Sequence, residues 1–163
     1  MNIFVTVGAQ IPFDRLVVAV AKWAASNLGK HEIFAQVGEG GCRPRNIQSV
    51  DLLEPSGFKA RVLWADVLVA HAGMGSILTA LQFGKPILVM PRKGSLQETR
   101  NDHQVATAIR WREMGKIAVA MDENEMPDQL NRLSDLGCAE SISDTASEEL
   151  IAAIRGFIRS TPS

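Results

Sequence analysis

Net charge is almost absent from this chain: 17 Lys and Arg stand against 18 Asp and Glu, a formal balance of -1. With charges of both signs mixed along its length, it offers no general attraction for nucleic acid. Cysteine is scarce as well. Cys42 and Cys138 lie far apart and outside any metal-ligand spacing, so no zinc or disulfide framework is visible and a reduced, cytoplasmic chain is expected. Long apolar runs are missing: stretches such as residues 17–21 stop far short of the roughly 18 residues that suggest a membrane span. The N-terminus opens directly on a strand-like run, residues 2–7, in place of a basic stretch followed by a signal-type apolar segment. Membrane association is therefore expected only through a partner. There is no Asp-x-Asp metal motif, internal repeat, low-complexity stretch or dividing linker.

What is present is a core-forming composition. The 163 residues, 46% of them hydrophobic, fit one domain over 1–163, with a core of about 1–121 and a C-terminal helical part of about 122–163. Strand-like and helix-like segments alternate, which predicts an α/β fold: a mainly parallel, Rossmann-like sheet covered by helices on both faces. Residues 3–7 read as a buried strand. Behind Pro12 comes a helix with Leu16, Val17, Val20, Ala24 and Leu28 facing inward and Gly29 as its C-terminal cap. Strands are expected at 32–37, 47–53, 66–70, 86–90 and 117–121. A turn at Pro55-Ser56-Gly57 precedes a short helix at 59–64, and further helices are expected at 105–114, stopped by Gly115, and at 126–136. Thr145 and Glu148 have capping-box spacing ahead of a stripe of Leu150, Ile151, Ile154, Phe157 and Ile158. That stripe can fold back on this domain, its preferred use, or dock against a second subunit; a homo-oligomer is also among the expected assemblies.

The segment 65–104 carries most of the chemistry. If consecutive strands are parallel, His71-Ala72-Gly73-Met74-Gly75-Ser76, Pro91-Arg92 and Asn101-Asp102-His103-Gln104 all fall at one sheet edge, where open α/β folds bind ligands. The glycines Gly73 and Gly75 let the backbone turn sharply and aim the first free helix amides, with the macrodipole, at an anion such as a diphosphate. A mere tight turn with close helix–sheet packing is the competing reading. A nicotinamide fingerprint fits poorly, because Leu78 replaces the third glycine and the motif follows a late strand. Ser76 is wrongly placed for a hydrolase elbow, so capping or packing is its expected use. His103 and Gln104, behind Asn101 or Asp102 as N-cap, offer donors and acceptors suited to sugar hydroxyls, although an ordinary solvated first turn looks the same. Arg92, Lys93 and Arg100 lie near enough to neutralise phosphate. His71 reads equally as a structural histidine or a ligand contact, and Trp64, Trp111 and Met90 as packing groups.

Several of these pieces together resemble a known family. Val5-Thr6-Val7-Gly8, Phe13-Asp14, Gln36-Val37-Gly38, Ala65-Asp66, the run from His71 to Ile77, Gly84-Lys85-Pro86 and Asn101-Asp102-His103-Gln104 resemble the Alg13-like proteins. These are donor-binding halves of glycosyltransferase family 28, related to the C-terminal domain of the MurG enzymes. Met90-Pro91-Arg92-Lys93, with Glu98, Arg100 and Asn101, looks most like the bacterial exopolysaccharide branch of PssE or EpsE type. The resemblance covers nearly the whole chain through Met121 and weakens beyond it.

It implies the C-terminal half of a GT-B fold that binds a nucleotide-sugar, most directly a UDP-sugar, as one subunit of a two-component inverting glycosyltransferase. An Alg14-like or PssD-like membrane-anchored subunit would supply the site for a lipid-linked saccharide acceptor. Gly8 would face the diphosphate, His71, Gly73, Met74, Gly75 and Ser76 would approach the phosphates with Arg92 nearby, and His103 and Gln104 would contact the donor sugar. No cofactor and no metal are implied. Helix amides and cations fixed in advance can stabilise the leaving diphosphate, and the base is expected on the acceptor half. Many relatives have a glutamate for the ribose hydroxyls where this chain has Thr79, a departure that bears on whether the donor is a uridine nucleotide; Glu98 is a candidate substitute. The alternative class is a non-catalytic nucleotide-binding or assembly subunit of the same fold.

Overall fold

The computed structural model describes residues 1–115, 117–137 and 152. Its elements run β1 (Asn2–Thr6), α1 (Asp14–Ala25), β2 (Glu32–Gln36), β3 (Gln48–Val50), α2 (Pro55–Trp64), β4 (Val67–His71), α3 (Met74–Gln82), β5 (Ile87–Met90), α4 (His103–Met114), β6 (Ala118–Val119) and α5 (Met126–Asn131). The strands form one six-stranded sheet in the order β3-β2-β1-β4-β5-β6, and every pairing is parallel. Register is tight at the centre, with Val5 opposite Ala35 on one side and Val69 on the other.

Strand side chains alternate between two cores, as the two-residue repeat of a pleated strand requires. Ile3, Val5, Val67, Val69, Leu88 and Met90 pack under α1 and α5 with Leu16, Val17, Val20, Met126 and Leu130. Phe4, Leu68, Ala70, Ile87 and Val89 pack on the opposite face with Val62 of α2, Ile77, Ala80 and Leu81 of α3 and Ala108 of α4. Burial on both faces is why these strands read as unbroken apolar runs. Trp64, Trp111 and Met90 take the packing roles expected of them.

Several expected boundaries need correction. Helix α1 ends at Ala25, so Leu28 lies beyond it and is 76% exposed, and Gly29 at φ +76° belongs to the following turn. Helix α2 begins at Pro55, not after the turn, because proline is well accommodated at a helix start and Gly57 is tolerated inside. Strands β3 and β6 are shorter than expected, and the segment 126–136 splits into α5 and a short 3-10 turn at Leu133–Asp135. Gly115, at φ +64°, does close α4. The capping box and the 150–158 stripe lie outside the described residues, as does Cys138; Cys42 is a free thiol.

Candidate functional site

Strand order reverses between β1 and β4, which are paired neighbours followed by helices on opposite faces of the sheet. The connections that follow them therefore leave towards opposite faces, and a crevice opens there for purely topological reasons. The crevice is a cleft of about 620 Å³ lined on one side by Thr6, Val7, Gly8 and Gln36, on another by Leu53, Pro55 and Phe58. His71, Gly75, Ser76, Thr79, Arg92, Thr99 and Gln104 complete the polar part of its wall.

His71 is the hinge of this arrangement. It ends β4, and its ring is wedged between two backbone turns. A Cβ on Gly8 would come within 2.7 Å of its Nε2, and one on Gly73 would strike Cε1 and approach Nδ1 to 2.7 Å. Only glycine leaves room at either position. Gly8 also needs its freedom for a second reason, because its φ of +83° lies in the left-handed region. The imidazole Nε2 lies 3.1 Å from the Ser76 hydroxyl, while Nδ1 is buried with no hydrogen-bond partner among the described residues. Burial first, and then the positive charge of Arg92, push the His71 pKa down to about 4, against the opposite pull of the Gln104 side chain. At neutral pH this ring is uncharged.

Arg92 follows β5 and turns inward, only 3% exposed. Its guanidinium donates to the carbonyls of Pro12 at 2.6 Å, Ile11 at 2.6 Å and Val7 at 2.9 Å, with a longer contact of 3.4 Å to Glu98 O. The group lies 4.7 Å over the Phe13 ring. Its donors thus tie down the loop between β1 and α1, whose carbonyls have no strand or helix to join. Gln36 performs a similar task. Its amide donates to Gly8 O at 3.1 Å and its carbonyl accepts from Leu53 N at 3.2 Å, clamping two cleft walls together. Thr6 Oγ1 accepts from Gly8 N at 3.2 Å.

Glu98 is committed elsewhere. Arg15 grips it with two 2.7 Å bonds, and Lys93 N donates to it at 2.9 Å, so both carboxylate oxygens are occupied. This pins the β5–α4 loop onto α1 and removes Glu98 from the ribose role considered for it. Thr79 lines the cleft, with its hydroxyl donating back to Gly75 O at 2.8 Å.

Helix α3 starts hard against the cleft. The Ser76 and Ile77 amides return to Gly73 O, at 3.1 and 3.2 Å, which leaves the Met74 and Gly75 amides without a partner among the described residues. The unpaired amides and the helix dipole make this end electropositive. Gly75 has open space where a side chain would stand. Helix α4 begins at His103, whose amide is accepted by the Asn101 side chain at 3.3 Å, while Asp102 accepts from Gly94 N at 2.7 Å. Gln104 reaches into the cleft and accepts from Arg92 N at 3.2 Å. His103 and Met74 are exposed and stand outside the lining, and Gly73 lies behind the His71 ring. Sequence reasoning passed over the clamp made by Gln36 and the apolar wall of Leu53, Pro55 and Phe58. An amide at the end of an otherwise apolar strand was the available signal for the first.

Among the described residues, no group of three His, Cys, Asp or Glu is placed to hold a metal ion, and no helix is long and apolar enough to cross a membrane. The six-stranded parallel sheet with its helices is that of GT-B glycosyltransferase C-terminal domains. Residues 2–135 match the glycosyltransferase family 28 C-terminal domain, and the chain belongs to that family. A UDP-N-acetylglucosamine transferase subunit ALG13 from Mus musculus is 30% identical over 123 residues, which is 70% of this chain and 10% of that protein. The chain therefore spans about a tenth of the length of the curated relatives it matches. A solution structure of ALG13 superposes with a TM-score of 0.60 at 20% identity, covering 92% of this chain and 94% of that one. MurG of Acinetobacter baumannii gives 0.58 at 16% identity, over 98% of this chain and 50% of that one. At those identities the two structures speak for the fold alone.

Proposed function

We propose that this chain is the donor-binding subunit of a two-component inverting glycosyltransferase. It holds a nucleotide-sugar, foremost a UDP-sugar, for transfer to a lipid-linked acceptor in polysaccharide or glycolipid biosynthesis, working at the cytoplasmic membrane face through an Alg14-like or PssD-like partner. The diphosphate lies on the open amides of α3, and Gly8, Gly73, Gly75 and Ser76 shape that seat. The apolar wall of Leu53, Pro55 and Phe58 takes the flat face of the base, and Gln104 addresses the sugar, with His103 beside it in the first turn of α4 but outside the lining.

One observation carries the partner-dependent part of this reading: among the described residues the cleft lining contains no group fit to deprotonate an acceptor hydroxyl. Its only imidazole is His71, whose pKa of about 4 lies well below the operating range of a general base. Its Nε2 is also engaged with Ser76, and its Nδ1 is buried. A base brought by a second subunit, opposite the departing diphosphate, completes the in-line geometry that inversion demands.

The test is to co-purify the chain from its native source and assay sugar transfer with and without the companion. The isolated chain should bind nucleoside diphosphate and show no turnover, while the complex should transfer. In the complex, Gly73→Val or Gln104→Ala should raise KM for the donor more than it lowers kcat. Full turnover by the isolated chain would overturn the half-enzyme reading, and failure to bind any nucleoside diphosphate would return the chain to the assembly-subunit class.

A further inference from the structure

The cleft is unusual in its polar groups: among the described residues its lining includes amides, hydroxyls, one imidazole and one guanidinium, but no carboxylate. Nucleotide sites on open parallel sheets commonly hold the ribose by an acidic side chain that accepts from its hydroxyls. A ribose joined to a diphosphate on the first turn of α3 is within reach of cleft side chains one turn further on, since four residues of helix rise about 6 Å. Thr79 is the polar side chain at that place. Its hydroxyl proton is already spent on Gly75 O. Of the other amides and hydroxyls in the lining, Gln36 is bonded through both its nitrogen and its oxygen and Thr6 accepts from Gly8 N, while Gln10 and Thr99 are neutral like Thr79. The nearby carboxylate, Glu98, is held by Arg15 and Lys93 N.

Building on the donor-binding reading, we infer that this site does not select for the ribose 2′-hydroxyl and takes 2′-deoxyribonucleoside diphosphate sugars alongside their ribonucleotide counterparts. A 2′-hydroxyl here can donate only to a neutral oxygen such as Thr79 Oγ1, and such a bond barely improves on the one it gives up to water. A hydrogen bond to an ionised carboxylate would instead discriminate by about tenfold or more.

Calorimetry of the full chain with UDP and with 2′-deoxy-UDP isolates this one hydroxyl, because base and diphosphate are the same. The two dissociation constants should agree within about threefold. In Thr79→Glu the preference for UDP should rise to about tenfold or more. A wild-type preference above about tenfold for UDP would overturn the inference while leaving donor binding intact. An unchanged ratio in Thr79→Glu would place the ribose elsewhere and overturn the assignment of Thr79. Binding of neither nucleotide would remove the donor-binding reading itself, and the inference with it.

Discussion

Two turns meet at the His71 ring, and they are built on opposite plans. The turn after β4 is short, with only Ala72 and Gly73 between strand and helix, and the helix it launches satisfies it locally. The turn after β1 spans residues 7–13 and makes few bonds of its own. It is held from outside, by Arg92, Gln36 and Thr6. The short turn presents unpaired amides to the cleft, and the long one turns carbonyls inward to a buried cation. One wall is therefore ready to receive an anion without rearrangement, and the other depends on a single side chain for its shape. Pre-set donors of this kind are what stabilise charge that develops during a transfer reaction.

Removing that side chain should have the largest effect. Arg92→Ala strands the carbonyls of Val7, Ile11 and Pro12 and leaves a void beside Phe13. A loss of about 3 to 5 kcal/mol is expected in urea denaturation. Arg92→Lys keeps the charge but has no planar fork, so it should recover less than half of that loss. If Arg92→Ala cost under about 1 kcal/mol, the long turn would be self-supporting and the contrast between the two turns would dissolve.

How far this site was legible follows from the same contrast. The short turn was visible in the sequence because its determinants are local: an apolar strand, a glycine pair and a helix within a dozen residues. The parallel sheet was visible for a similar reason, through alternating segments and runs buried on both faces. The long turn was not. Arg92 reads in the sequence as a cation for phosphate beside Lys93, but its guanidinium is taken up by carbonyl acceptors that lie about 80 residues earlier in the chain. Glu98 looked free until its partner Arg15 was seen beside it. The wedging of His71 between Gly8 and Gly73 depends on β1 and β4 being neighbours, and strand order is not a local property.

The second test concerns the ring that the turns share. With its pKa near 4 in the fold and an ordinary value of 6.5 when unfolded, His71 binds its proton more readily in the unfolded chain. Stability from this source is fully present above pH 6.5, falls as the pH drops, and levels off below about 4. The span is on the order of 3 kcal/mol. It should appear as the difference between the stability–pH curves of the parent and of His71→Asn. Parallel curves would mean that the ring is not buried as a neutral group.

The finest distinction lies between the two glycines. Both meet the same ring, but Gly8 carries a left-handed φ and Gly73, at φ -82°, does not. In the parent, either alanine substitution must displace His71, and the two costs are mixed with that movement. Deleting the ring separates them. In a His71→Ala background, Gly73→Ala has no remaining collision, and the lower entropy of its unfolded chain should make it neutral or stabilising by up to about 1 kcal/mol. Gly8→Ala should still cost about 1 to 2 kcal/mol in that background, because the backbone strain of an L-residue at positive φ does not depend on what stands opposite. Equal values for the two in the ring-deleted protein would mean that both turns are constrained by the imidazole alone. The longer turn's dihedral would then be a consequence of the ring and not a requirement of its own path to α1.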